Sequence, residues 1–222
     1  MITLDMLVIP EPDLRVTADM VRFLEAHSFN CAWMADSPPL DWPDVYMTLA
    51  LCSRETSRIK LAPGVTNPVT RHASVTANAL VTLHRLSRGR AELGIGLGYS
   101  AVRAAGLKPA RLQELTNYVD SLRSTFEQRN VSIPIYVAAS GPRTLITAGQ
   151  MGDGAMVTVG THPVLVRRAL EYIERGAKEA GRDPRSIEVV FLAGLAISTD
   201  SEEAKREARP VAARRAKDVE YL

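Results

Sequence analysis

The sequence predicts an α/β fold in which a parallel β-sheet is covered by helices. Short apolar segments of strand length alternate along the chain with longer amphipathic segments of helix length. Polar or glycine-rich loops follow most of the apolar segments. Alternation at this density is typical of parallel α/β proteins. In such folds the functional residues lie at the carboxyl ends of the strands, so the loops after the strands are where a site is expected.

Composition narrows the class of protein. The chain has 222 residues, of which 46% are hydrophobic and 23% charged, as expected for a globular protein with a sizeable core. Its formal net charge of +2 does not indicate a nucleic-acid or membrane partner. Two cysteines and no metal-ligand spacing predict buried thiols in a reduced compartment. No apolar segment reaches membrane-spanning length and no basic leader precedes Asp5, so a cytoplasmic protein is expected.

The first half of the sequence predicts four strands separated by helices. Strands are predicted at residues 2–9, 30–35, 59–62 and 91–95. Helices are predicted at residues 17–27, at residues 43–54, where Pro43 is suited to the first turn, and from about residue 70 to Ser87. The segment after the fourth strand, residues 99–110, is predicted to be an irregular loop.

The second half continues the alternation. Helices are predicted at residues 112–126, from Ser140 to about residue 152, and at residues 163–180. Strands are predicted at residues 133–138, 154–159 and within 187–197. A last helix opens at Ser201, with Asp200 or Ser201 as its N-cap and acidic residues in its first turn.

Seven β/α units leave two architectures open, a doubly wound sheet and a (β/α)8 barrel without its last unit. A barrel lacking one strand would expose two unpaired edges, which natural proteins avoid. We therefore expect either that further residues follow residue 222 or that a neighbouring subunit covers the gap. A neighbouring subunit at the gap would make the protein a homodimer or a larger homo-oligomer. The short connection at residues 127–130 also suggests missing residues. No linker divides residues 1–222, which are predicted to form a single barrel domain.

Four segments in order resemble the bacterial luciferase-like family of flavin- and deazaflavin-dependent oxidoreductases. They are residues 64–72 (GVTNPVTRH), 86–96 (LSRGRAELGIG), 134–142 (PIYVAASGP) and 149–157 (GQMGDGAMV). The resemblance covers essentially the whole chain and is strongest to the branch that contains methylenetetrahydromethanopterin reductase, which uses coenzyme F420. It favours the (β/α)8 TIM-type barrel over the doubly wound sheet.

The resemblance implies which residues bind the cofactor. They are Asp36, Gly64, Val65, Thr66, Gly96, Leu97, Gly98, Ala138, Ala139, Ser140, Gly141, Val159 and Gly160. It also implies a non-proline cis peptide bond between Gly64 and Val65, with Val65 against one face of the cofactor ring. The residues alone leave another reading of Asp36 open, because Asp-Ser-Pro-Pro is turn chemistry and favours a cap.

The loop after the fifth predicted strand has a chemistry of its own. Small residues at Ser140 and Gly141 followed by Pro142 let a phosphate approach backbone N–H groups at a helix N-terminus, with the cation of Arg143 close by. A plain tight turn is the alternative reading. The glycines at 96 and 98, after the fourth predicted strand, do not fit the dinucleotide-binding pattern. They indicate a binding site only because the family resemblance places cofactor-binding residues there.

One departure from the family pattern shapes the expected reaction. Deazaflavin-dependent alcohol and sugar dehydrogenases of the family have a His after the strand-two Asp and a Glu after the strand-four glycines. Ser37 and Tyr99 stand there in this chain. With no evident base for an alcohol, the resemblance implies hydride transfer between F420 and a small, already activated organic substrate. Tyr99 is a candidate proton donor or substrate wall. The alternatives are an FMN-dependent monooxygenase and a non-catalytic cofactor-binding homologue.

Overall fold

The computed structural model describes residues 2–218, which form alternating strands and helices. By their internal contacts these residues divide into two compact units, one up to Ile135 (unit 1) and one from Tyr136 onward (unit 2). The strands are β1 (Met6–Val8), β2 (Cys31–Met34), β3 (Lys60–Pro63), β4 (Leu93–Ile95), β5 (Ile135–Ala139), β6 (Gly154–Val157) and β7 (Glu188–Phe191). The helices are α1 (Leu14–Ala26), α2 (Val45–Glu55), α3 (Ala73–Leu86), α4 (Tyr99–Ala104), α5 (Leu112–Gln128), α6 (Pro142–Met151), α7 (Pro163–Glu179) and α8 (Ser201–Asp218).

In unit 1, each strand lies parallel to the strand that precedes it in the chain. β1 pairs with β2 in the register Leu7 to Trp33, and β2 pairs with β3 in the register Trp33 to Ala62. β4 joins β3 through two parallel bridges, Leu61 to Ala91 and Thr66 to Ile95. β2 and β4 are completely buried, because the helices between the strands cover them.

Unit 2 repeats the arrangement with three parallel strands. Ala138 lies in register with Met156, and Met156 with Val190. The crossover helices α6 and α7 approach closely at two glycines. A Cβ on Gly149 would lie 2.0 Å from the carbonyl oxygen of Ile173, and one on Gly176 would lie 2.0 Å from that of Ile146. These positions therefore accept no side chain without moving the helices apart.

The strand order decides between the two architectures left open by the sequence. A doubly wound sheet reverses its strand order at one point, whereas a (β/α) barrel places every strand beside its predecessor. Within unit 1 and within unit 2 the order is sequential and parallel. The α/β class is thus confirmed, and the sequential order is that of the barrel class.

The predicted elements all occur, with corrections to their bounds. Most strands are shorter than predicted, since β1 covers only Met6–Val8 and β7 only Glu188–Phe191, and α1 starts at Leu14 rather than at residue 17. Pro43 does not open α2; the helix starts at Val45, where the carboxylate of Asp44 accepts the backbone N–H groups of the first turn. The irregular loop predicted at residues 99–110 is wrong in part, because α4 occupies its first half.

The opposite end of the unit 1 strands is held by Arg90, part of the segment that resembles the family. Its guanidinium donates hydrogen bonds to the carbonyl oxygens of Ile59 (2.7 Å), Ser53 (3.0 Å) and Thr56 (3.1 Å). One side chain therefore satisfies carbonyls at the end of α2 and the start of β3. This cation supports the fold at the end of the strands away from the carboxyl-end loops.

Among the described residues, no helix is long and apolar enough to cross a membrane.

Candidate functional site

Asp36 follows β2 at the carboxyl end of the strand and is half-buried. Burial raises the pKa of its carboxyl group above the ordinary value, and the negative charge of Asp44 adds to the rise. The hydroxyl of Thr66 and the positive charge of Arg71 act in the opposite direction. The short 3₁₀ turn that follows has Ser37, not Asp36, as its N-cap residue, so the reading of Asp36 as that cap is wrong.

Gly64 brings the end of β3 against β2. Its backbone N–H donates to the carbonyl oxygen of Met34 over 2.6 Å. A Cβ on Gly64 would lie 2.6 Å from the Cβ of Trp33, so only glycine fits. The Gly64–Val65 peptide bond is cis, as the resemblance implied.

Gly94 allows a similarly close approach between β4 and the end of β3. A Cβ there would lie 2.6 Å from the carbonyl oxygen of Pro63 and 2.9 Å from Cγ1 of Val65. After Val65, the segment that follows β3 pairs with β4 and the residues just after it. Thr66 N donates to Gly94 O and Gly96 N donates to Thr66 O, each over 3.0 Å. Residues 64–66 are therefore fixed between β2 and β4.

Asn67 is a buried polar residue that the sequence did not single out. Its Oδ1 accepts hydrogen bonds from Val69 N and Thr70 N over 3.0 Å each, and from the Thr70 hydroxyl over 3.2 Å. This Asx turn fixes the amide plane. The Nδ2 group has no hydrogen-bond partner among the described residues. A buried donor of this kind is costly unless a ligand or water binds it.

The loop after β4 is shaped by Gly98. Its φ of 81° lies in the left-handed region, and a Cβ would lie 2.5 Å from Cγ2 of Val102 and 2.9 Å from Cβ of Asn67. Leu97 is buried beside it, whereas Tyr99 is 57% exposed, with the Arg103 guanidinium 5.3 Å from its ring centroid. Tyr99 is thus accessible to a substrate.

A second polar group lies near Asp36, and of its members the sequence analysis pointed only to Thr66. It consists of Tyr46 on α2, Thr66, Thr76 on α3 and Tyr118 on α5, all buried. The guanidinium of Arg71 lies 4.7 Å from the ring centroid of Tyr46 and pairs with Asp44 over 2.6 Å. Burial, with the nearby charge of Asp36, raises the pKa of Tyr46 far above the ordinary value, so its hydroxyl stays protonated.

In unit 2, the loops after β5 and β6 lie side by side. Thr158 N donates to Ala139 O over 3.0 Å, which continues the pairing of the two strands into the loops. A Cβ on Gly141 or on Gly160 would meet nothing within 4 Å, so both backbones are open. The N–H groups of Ser140 and Gly141 reach the Thr144 hydroxyl at 3.3 Å, near the limit for a hydrogen bond.

The structure therefore groups the predicted residues in two places, one in each unit. Unit 1 brings together Asp36, Gly64, Val65, Thr66, Gly96, Leu97, Gly98 and Tyr99. Unit 2 brings together Ala138, Ala139, Ser140, Gly141, Val159 and Gly160. The sequence offered a signal for Asn67, because this polar residue stands in the loop Thr-Asn-Pro just after a predicted strand. Tyr46, Thr76 and Tyr118 lie inside helices, where no local signal distinguishes them from core residues.

A family model described as Luciferase-like monooxygenase matches residues 3–220, so the chain belongs to that family. The family's α/β fold, predicted here as a (β/α)8 TIM-type barrel, is confirmed by a solved relative. The coenzyme F420-dependent tetrahydromethanopterin reductase of Methanopyrus kandleri superposes with a TM-score of 0.79 at 26% identity, over 96% of this chain and 72% of that one.

Two curated proteins show the relation in sequence. The 5,10-methylenetetrahydromethanopterin reductase of Methanolobus tindarius is 33% identical over 91% of this chain and 68% of its own length. That of Archaeoglobus fulgidus is 31% identical over 87% of this chain and 64% of its own length. The chain thus spans about two thirds of the length of these relatives. An F420-dependent secondary alcohol dehydrogenase, at 19% identity and a TM-score of 0.83, shows the fold alone.

The raised pKa of Asp36 makes a prediction about stability. A carboxyl group with a higher pKa in the folded than in the unfolded chain stabilises the fold when protonated. That stability is present below the unfolded pKa, near 3.8, and is lost as pH rises through the folded pKa. Asp36→Asn has no ionisable group at this position, so the variant does not undergo this loss of stability as pH rises. The melting temperature of the variant minus that of the wild type is therefore expected to grow with pH across this window and then stay constant.

Thermal melts of both proteins at closely spaced pH values measure this difference. A difference that is flat with pH, or that shrinks as pH rises, would show that burial does not dominate at Asp36.

Proposed function

We propose that the chain is a coenzyme F420-dependent oxidoreductase that transfers a hydride between the deazaflavin and a small organic substrate. The observation that carries the proposal is the 33% identity to a 5,10-methylenetetrahydromethanopterin reductase across 91% of this chain. The reaction class of that relative suits the strand-end residues found here, which offer positioning groups and one half-buried carboxylate rather than a nucleophile and its base.

The residues of unit 1 fit a deazaflavin ring in shape and polarity. Residues 64–66 are fixed between β2 and β4, which lets the backbone and the half-buried Val65 side chain support one ring face. Ser37 Oγ and Asn67 Nδ2 are buried polar atoms without a hydrogen-bond partner among the described residues, and ring or ribityl oxygens are suitable partners. The half-buried carboxyl group of Asp36 supplies one more polar contact.

When bound, the deazaflavin accepts or supplies the hydride. The chain's own residues orient the ring and keep water from one face, with Leu97 buried beside the glycine loop. Ser37 stands where the family's alcohol dehydrogenases have a His, so the imidazole that would deprotonate an alcohol is absent from that position. A substrate with an already activated C=C, C=N or iminium-type acceptor is therefore proposed, with Tyr99 beside it as proton donor or wall.

The residues of unit 2 fit an anionic group. The backbones at Gly141 and Gly160 are open, and α6 begins at Pro142. N–H groups at the start of a helix, together with its dipole, favour a phosphate or carboxylate. Thr144 reaches two of these N–H groups only at 3.3 Å, so a charged ligand oxygen would compete well for them.

The alternative function is an FMN-dependent monooxygenase. The description of the matching family model favours it, since it names luciferase-like monooxygenases. A non-catalytic cofactor-binding homologue is the second alternative. A cytoplasmic location, a homodimer or larger homo-oligomer, and a single domain over residues 1–222 remain proposals from the sequence.

Titration of the chain with F420 and with FMN, followed by cofactor fluorescence, tests the proposal. We expect F420 to bind and FMN to bind about tenfold more weakly, a difference of ~1.4 kcal/mol in binding free energy. Tighter binding of FMN would favour the monooxygenase, and binding of neither cofactor by folded protein would contradict the proposal. F420 binding without hydride exchange on any activated acceptor would favour the non-catalytic homologue.

The anion-binding loop of unit 2 gives a second prediction. Gly141→Asp places a negative charge at the start of α6, so F420 affinity should fall by about tenfold. The backbone at Gly141 is extended and an added Cβ has no close neighbour, so the variant should fold normally.

Gly141→Asn is the matched control, because it has the size of aspartate without the charge. Affinity measured by fluorescence titration should fall clearly less for this variant. Equal loss in both variants would mean that size, not charge, matters at this loop. Unchanged affinity in both would remove the loop from the site.

A further inference from the structure

The loop that begins at Asn67 continues to Arg71, whose side chain is held at the start of α2. The Arg71 guanidinium pairs with the carboxylate of Asp44 over 2.6 Å and lies 4.7 Å from the ring centroid of Tyr46. The other carboxylate oxygen of Asp44 accepts the backbone N–H groups of Tyr46 and Met47 over 2.9 and 3.0 Å, as the N-cap of α2. The group that anchors the Arg71 side chain is therefore itself fixed.

The backbone of Arg71 is held from α5. The hydroxyl of Tyr118 lies 2.9 Å from the carbonyl oxygen of Arg71 and 2.6 Å from Oγ1 of Thr76 on α3. A tyrosine hydroxyl has one proton and a carbonyl oxygen only accepts. Both contacts are therefore satisfied when Tyr118 donates to Arg71 and Thr76 donates to Tyr118. Because the Tyr118 and Thr76 side chains are buried, water competes little for these bonds.

The held end of the loop is close in sequence to the Asn67 side chain. The backbone N–H groups of Val69 and Thr70, which directly precede Arg71, donate to Oδ1 of Asn67 over 3.0 Å each. In addition, a Cβ on Gly98 would lie 2.9 Å from Cβ of Asn67, so the Asn67 side chain lies directly against this glycine. A shift of the Arg71 backbone would therefore move the two donors that fix the amide plane of Asn67.

We propose that Tyr118 and Arg71 are positioning residues of the candidate site, which hold the Asn67 amide so that its Nδ2 group is ready to donate to a ligand. Nδ2 is buried and has no hydrogen-bond partner in the described part of the chain. An amide held in one orientation loses little freedom when an acceptor binds, so ligand affinity depends on the Tyr118 hydroxyl. The identity of the ligand rests on the proposed function, in which a ring or ribityl oxygen of the deazaflavin accepts from Nδ2.

Hydrogen exchange measured by NMR on the free protein tests the first step. Tyr118→Phe keeps the buried ring and removes the hydroxyl. The amide protons of Val69 and Thr70 should then exchange about fivefold faster, the effect of losing one ordinary hydrogen bond. Tyr46→Phe is the matched control, because its hydroxyl is also buried but has no described hydrogen-bond partner, and it should keep wild-type rates. Wild-type rates in Tyr118→Phe would overturn the proposal.

A double-mutant cycle on F420 affinity, measured by fluorescence titration, tests the second step. Asn67→Asp keeps the acceptor oxygen of the turn and replaces the Nδ2 donor by an oxygen. Tyr118→Phe should weaken F420 binding about fivefold in the wild-type background and have no further effect in the Asn67→Asp background. A residue that only stabilises the fold would show no such coupling. An equal effect in both backgrounds, or none in the wild type, would overturn the proposal.

The two measurements distinguish this inference from the proposed function. If the folded wild type binds no F420, the proposed function fails, whereas the exchange rates still decide whether Tyr118 holds the loop. If Tyr118→Phe does not fold, Asp44→Ser makes the exchange test, because serine can cap α2 but cannot pair with Arg71. Faster exchange of the same two amide protons is expected there, and wild-type rates would overturn the proposal.

Discussion

The candidate site depends on one packing constraint, the close approach of three parallel strands at Gly64 and Gly94. Any side chain at Gly64 would overlap Trp33 of β2. Any side chain at Gly94 would overlap the Pro63 carbonyl at the end of β3 and the side chain of Val65, which follows β3. Because both positions lack a Cβ, the strand ends come close enough for the backbone of Thr66 to form hydrogen bonds with Gly94 and with Gly96. The loops that follow can then place Asp36, Thr66 and Asn67 together.

This packing leaves polar groups buried without hydrogen-bond partners, which lowers the stability of the fold. Ser37 Oγ and Asn67 Nδ2 are buried without a described hydrogen-bond partner, and each such group costs on the order of 1–3 kcal/mol. Asp36 is held where burial opposes its charge. The remaining core of unit 1 is mostly apolar. Apart from His84 Nδ1, the buried polar atoms without a described partner lie at or near the carboxyl ends of the strands. Polar groups left unsatisfied in this way are expected at a ligand site rather than in a structural turn.

The sequence predicted the fold because its signals are local. Strand-length apolar segments, Pro142 at a helix start and the alternation of elements each follow from neighbouring residues. The resemblance added the cis bond at Gly64 and the cofactor residues. The buried polar residues Tyr46, Thr76 and Tyr118 could not be predicted, since Tyr46 and Tyr118 are 72 positions apart and come near each other only through tertiary packing. The helix α4 was missed because its six residues follow a glycine-rich loop that reads as irregular.

We propose that the strand ends of unit 1 bind a deazaflavin ring, and a crystal structure of the chain with F420 would test this. We expect the tricyclic ring to lie against Val65, with polar contacts to Asp36 or Asn67 and the Gly96–Gly98 backbone at its edge. A ring bound away from Val65, with residues 64–67 free of cofactor contacts, would contradict it.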